Sequence, residues 1–150
     1  MKFRFPFETL RKVRKIEEDE AQRIFMEAQA RLNECLAKIQ EMYTSIDEAR
    51  LTISRMQFSD EQNKLSHIRT NEEFIKGQEV RIKLERVKAR ELMREVEMKQ
   101  EALIGKAKDR KVIDRLKEKR LEVFKKDVKV HEQKETDEMV TLRAAKRKVI

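Results

Sequence analysis

The sequence predicts an all-α protein: two long helices forming an antiparallel coiled-coil hairpin, the second helix longer and projecting beyond the first. Three observations carry this reading. Of the 150 residues, 44% are Asp, Glu, Lys or Arg, with one Pro, two Gly and no Trp. The chain therefore has few turn formers and little aromatic bulk for a wide core. Its apolar 39% is mostly Leu, Ile, Val, Ala and Met set among Glu, Lys, Arg and Gln, a mixture that suits long helices rather than a sheet or a disordered segment. Last, the apolar residues recur every seven positions, the mark of a coiled-coil seam.

The chain opens KFRFPFETLRKVRKIEEDE, with Phe3, Phe5 and Phe7 alternating around its only proline, Pro6. Proline fits the first turn of a helix, where its missing N–H is not needed, and no position further inside. The aromatic segment thus reads as an extended lead-in whose rings fold back on the first turns or dock on a partner. An apolar face continues through Leu10, Val13 and Ile16, but Glu17 to Glu20 interrupt it, so the seam is weakest there. From Ala21 the steps alternate between four and three: Ala21, Phe25, Ala28, Leu32, Cys35, Ile39, Met42, Ile46, Ala49, Ile53, Met56. The first helix is expected over about residues 7–56.

In QFSDEQNKLSHIRTNEEFIKG the stripe fails. Ser59 with Gln62 reads as a capping box, and Thr70 with Glu73 is a second one. The turn is placed at Gln57 to Asp60 and the second helix over about 61–148; the alternative is a longer loop ending near Thr70, with Ser66 to Asn71 irregular. The second seam runs Ile68, Ile75, Ile82, Ala89, Val96, Leu103, with Met93 and Ala107 at alternate positions and Glu72, Glu79, Arg86 and Gln100 at the others. Gly77 and Gly105 each cost roughly 1 kcal/mol relative to alanine in a helix interior. With no proline beside them they read as weak points, not breaks. Ile113, Leu116, Leu121, Phe124 and Val128 then carry the stripe on, with Val112, Val123 and Val130 on a neighbouring face.

The two lengths do not match. A first helix of this size covers an equal stretch of the second, to about residue 110, which leaves about 38 residues, on the order of 55 Å, beyond it. Residues 1–104 hold 21 Lys and Arg against 20 Asp and Glu, whereas residues 105–150 hold 16 against 9. Nearly all of the net charge of +8 therefore lies on the segment that also carries Val112, Leu116, Leu121, Val123, Phe124 and Val130 with no helix of its own chain to cover them. An apolar, basic helix without a partner in cis calls for one in trans.

Catalysis finds little support. Two glycines this far apart cannot form a phosphate-cradling loop. His67 and His131 each lack a second His or Cys one turn away, so no metal site is expected. Cys35, the single cysteine, lies at a seam position between Leu32 and Ile39 and reads as a small buried apolar residue rather than a reactive thiol. No catalytic, cofactor-binding or metal-binding residue is assigned. A lone cysteine fits a reducing compartment, and neither a secretory leader nor a membrane span is expected. The basic group Arg143, Lys146, Arg147, Lys148 could meet nucleic acid or an anionic membrane, but Phe124 is the only aromatic residue after Phe74, so base stacking is not offered.

Three stretches together resemble the FliJ family, the small coiled-coil component of the bacterial flagellar type III export apparatus. KFRFPFETLRKVRKIEEDEA resembles its aromatic opening, NEEFIKGQEVRI its early second helix, and HEQKETDEMVTLR its C-terminal signature. The resemblance implies a non-enzymatic antiparallel coiled coil, similar to the shaft of rotary ATPases, that inserts into the hexameric flagellar export ATPase. It further implies promotion of ring assembly, linkage to the cytoplasmic domain of the export gate, handling of export chaperones, and a cytoplasmic location at the inner face of the membrane at the flagellar base. Carried over by residue, Phe74 implies the gate-facing position, with Gln78, Arg81 and Glu85 polar where the family favours apolar residues. Glu132, Gln133, Lys134, Asp137 and Glu138 match the C-terminal signature and imply ATPase contact, joined by the apolar Leu116, Val123, Phe124 and Val130 of the overhang.

Two other classes compete. A generic structural coiled coil would bury Val112 to Val130 in a stable homo-oligomer. A basic nucleic-acid or membrane-surface binder would lose affinity steeply with salt. The charged signature also has a bland explanation, intrahelical pairing of Gln133 with Asp137 and Lys134 with Glu138.

Overall fold

A computed structural model describes residues 1–149. Two helices, α1 (Glu8–Gln57) and α2 (Lys64–Val149), pack against each other as an all-α hairpin. Their contacts resolve into two units, Glu20–Leu103 and Met1–Asp19 with the chain from Ile104 onward.

The unit Glu20–Leu103 holds the apolar seam. Ala28, Leu32, Cys35, Ile39, Ile46 and Ala49 of α1 are buried, as are Ile82, Ala89 and Val96 of α2. All six from α1 lie on the predicted stripe, because steps of four and three keep a side chain on one face of a helix with 3.6 residues per turn. Arg31 meets Glu95 at 3.1 Å and Arg50 meets Glu79 at 4.0 Å; as α1 advances α2 recedes, so the pairing is antiparallel. On α2 the positions alternating with Ile75, Ile82 and Ala89 differ from those expected. Gln78, Glu85 and Leu92 turn inward, whereas Glu79, Arg86 and Met93 are exposed. A step of three and a step of four from each core residue flank it on opposite sides, and only the direction of the facing helix decides which is covered.

The connection spans residues 58–63 rather than Gln57 to Asp60. Backbone bonds from Phe58 N to Arg55 O and Ser59 N to Met56 O tighten the end of α1. Ser59 Oγ accepts from Glu61 N at 3.2 Å, inside the loop, and does not cap a helix. Thr70 donates to Ser66 O within α2, so that stretch is helical and not a loop. The reversal uses no residue with positive φ and contains neither Gly nor Pro, so the chain turns over several residues instead of in a tight bend.

In the second unit α1 and α2 are joined mainly by charge. Leu10, Val13 and Ile16 are exposed to 38%, 43% and 67%, so the apolar face seen in the sequence does little there. Instead Glu17 bonds Lys106, Glu18 bonds Arg110, Arg14 bonds Asp109, Arg11 bonds Asp114 and Glu8 bonds Lys117. Glu17 and Glu18, from the acidic run that breaks the apolar stripe, are thus two rungs of an ion-pair ladder between the helices.

The expectation that α2 is uncovered from about residue 111 is corrected. The Met1–Phe7 segment runs along α2 instead of over the first turns of α1 alone. Phe3 packs on Phe124, Lys117 lies over the Phe5 ring and Arg120 over the Phe7 ring. Phe5 is buried, and Leu116, Leu121, Phe124 and Val128 are half-buried. An extended chain advances about 3.3 Å per residue and a helix about 1.5 Å, so a few lead-in residues cover twice as many helical ones. The uncovered stretch is shorter than expected: from His131 to Val149 every residue is exposed.

Candidate docking surfaces

The end of α2 is open along its whole length, every residue from His131 to Val149 being exposed. Thr136 and Thr141 return their hydroxyls to the carbonyls of Glu132 and Asp137, a local habit of threonine in helices that leaves the carboxylates free. Glu132, Gln133, Lys134, Asp137 and Glu138 are all exposed. Among the described residues the i,i+4 side-chain contact in this stretch is His131 Nδ1 with the Glu135 carboxylate, 3.4 Å apart; neither Gln133 with Asp137 nor Lys134 with Glu138 is bonded. Intrahelical pairing therefore does not account for the charged signature.

The apolar members of the predicted set divide. Val123 and Val130 are exposed to 57% and 49%, whereas Leu116 is half-buried and Phe124 is half-buried against Phe3 of the N-terminal segment. Met1 itself reaches a shallow groove with Val130, Lys134 and Glu138. Sequence reasoning left out Met139, Val140 and Leu142, exposed to 61%, 61% and 65%. Their signal was the i, i+3 spacing of Met139 and Leu142 inside the same C-terminal stretch, just after Glu138.

The ladder at the start of α1 sets the electrostatics there. A hydrogen bond from Lys117, reinforced by Arg11, holds the Glu8 carboxyl below the usual carboxylate range. Burial pushes Asp114 up, but bonds from Arg11 at 2.9 Å and Arg110 at 2.6 Å outweigh it and hold the carboxyl low.

In the other unit Phe74 is 43% exposed beside the half-buried Ile75. Gln78 and Glu85, which stand with Phe74 in the resemblance, are buried in the seam, while Arg81 is exposed. The structure therefore does not gather Phe74, Gln78, Arg81 and Glu85 on one open surface. Glu85 takes Lys38 and Lys88, each at 3.4 Å, and Cys35 Sγ lies 3.6 Å from its carboxylate. Burial, then the bond to Glu85, pushes the Cys35 thiol up, which suits a packed residue and not a nucleophile.

Among the described residues no three potential metal ligands cluster, and no helix is long and apolar enough to cross a membrane. The family model described as Flagellar FliJ protein matches residues 2–149. No curated protein and no solved structure gives a match. With its helical hairpin and a match over essentially its whole length, the chain belongs to the FliJ family, components of the flagellar export apparatus.

Proposed function

We propose that this chain is a non-catalytic stalk of the export apparatus, seated in the hexameric export ATPase through the end of α2. There it promotes ring assembly and ATP turnover. Glu132, Gln133, Lys134, Asp137 and Glu138 supply the polar contacts, and Val123, Val130 and the exposed Met139 and Leu142 the apolar ones. The half-buried Leu116 and Phe124 support this surface, Phe124 from beneath Phe3 of the N-terminal segment. Phe74 meets the cytoplasmic domain of the export gate, and the chain escorts export chaperones at the inner face of the membrane.

The observation that supports the ATPase contact is the exposure of every residue from His131 to Val149, apolar ones included, although Met1 reaches the first turns of this stretch. Exposed apolar side chains on a basic helix are costly unless a partner buries them. Mixing the full-length chain with the purified ATPase is expected to give a complex and faster ATP turnover, and Met139→Glu with Leu142→Glu to abolish both. Absence of a complex together with an unchanged rate for the unaltered chain would refute the proposal.

A further inference from the structure

A separate surface lies on the outer face of α2 within Glu20–Leu103. With Ile75, Ile82, Ala89 and Val96 in the seam, the positions pointing away from α1 are those two and five places further on. A hairpin has no use for apolar side chains there, yet Val80, Leu84 and Val87 occupy them, exposed to 59%, 61% and 53%. Their i, i+4, i+7 spacing makes one stripe.

Cations line both sides of this stripe. Lys76, Lys83 and Arg90, seven residues apart, follow one edge, and Arg81 and Lys88 the other; all five are exposed. Lys88 is paired with Glu85, but Lys76, Arg81, Lys83 and Arg90 make no ion pair among the described residues. Glu91 and Arg94 close the stripe at its far end. At its near end stands Gly77, also on the outer face. A Cβ there would meet nothing within 4 Å, so nothing inside the molecule calls for a glycine, although it weakens the helix. A bare position beside an apolar stripe lets another backbone come close.

We infer that Val80, Leu84 and Val87, framed by Lys76, Lys83, Arg90, Arg81 and Lys88, dock an amphipathic helix of a partner protein whose apolar stripe is flanked by Asp and Glu. Three aliphatic side chains in register match the knobs of a helix. A lipid surface is the poorer occupant, since the stripe has no Trp, Phe or Tyr to sit at the headgroup level. The face is distinct from the end of α2 assigned to the ATPase, and its use does not depend on that assignment.

The test uses the full-length chain and labelled synthetic helical peptides with Leu at i, i+4 and i+7, flanked by Glu in one set and by Lys in another. Phosphatidylglycerol vesicles and sedimentation of the chain alone complete it. The Glu-flanked peptide is expected to bind, the Lys-flanked one not. Leu84→Glu, Lys83→Glu with Arg90→Glu, and Gly77→Leu are each expected to weaken binding by about tenfold or more, with helicity by circular dichroism and stimulation of the ATPase unchanged. The inference fails if no Glu-flanked peptide binds, if both sets bind alike, or if Leu84→Glu leaves binding unaltered. It also fails if only vesicles bind, or if sedimentation shows the face already covered by a second copy.

Discussion

Phe3 packs on Phe124 from almost the other end of the sequence, their ring centroids 5.4 Å apart and tilted by 53°. This contact carries the lead-in onto α2, and Phe5, packed edge-on against Phe7 at 5.9 Å, is the buried residue between them. Replacing Phe5 with Ala should cost roughly 2 kcal/mol, read as increased amide exchange of the Met1–Phe7 segment and of the α2 turns around Leu121. A double-mutant cycle on Phe3 and Phe124 should return a coupling of about 1 kcal/mol. Coupling near zero would mean that the rings merely lie side by side.

Gly77 and Gly105 offer a gain. Both lie in α2, neither has a positive φ, and an added Cβ would meet nothing within 4 Å at either site. Gly77→Ala and Gly105→Ala should each stabilise the folded chain by about 1 kcal/mol, measured by chemical denaturation. A loss at either position would reveal an internal contact that the open space rules out.

The seam itself carries a polar residue at odds with its surroundings. Gln78 is buried and its Oε1 has no hydrogen-bond partner. Gln78→Leu should therefore raise stability by about 1–2 kcal/mol. Because a polar residue in a seam can fix register, the same variant should be checked for slippage by crosslinking cysteines introduced at Arg50 and Glu79, whose side chains approach to 4.0 Å.

Acid should loosen the ladder. The folded-state pKa values of Glu8 and Asp114 are lowered by their cationic partners. The stability they contribute is therefore present above the ordinary carboxylate pKa and lost as pH falls through the depressed folded values, below about pH 4. Asp114→Asn should flatten this part of the pH dependence in denaturant titrations, and added salt should shrink it, since these groups are partly open to solvent. An unchanged acid limb in the variant would assign the transition to other carboxyls.

Much of this protein follows from its sequence alone. The four-and-three spacing from Ala21 to Met56 fixes which face of α1 is buried, because helical geometry allows those side chains no other arrangement. Scarce turn formers and two glycines without a proline account for α2 running on to Val149, and the charged C-terminal stretch could be located from its resemblance.

Three features were settled only by tertiary structure. Whether Gln78, Glu85 and Leu92 or Glu79, Arg86 and Met93 complete the second seam depends on the side from which α1 approaches, since both sets flank the same core residues. The acidic break at Glu17 and Glu18 is a join because Lys106 and Arg110 lie opposite, a pairing that no local pattern encodes. Phe124 is half-covered because the extended lead-in advances along α2 faster than helical residues do. Local spacing sets the face of a helix; the identity of whatever lies against that face is a property of the folded chain.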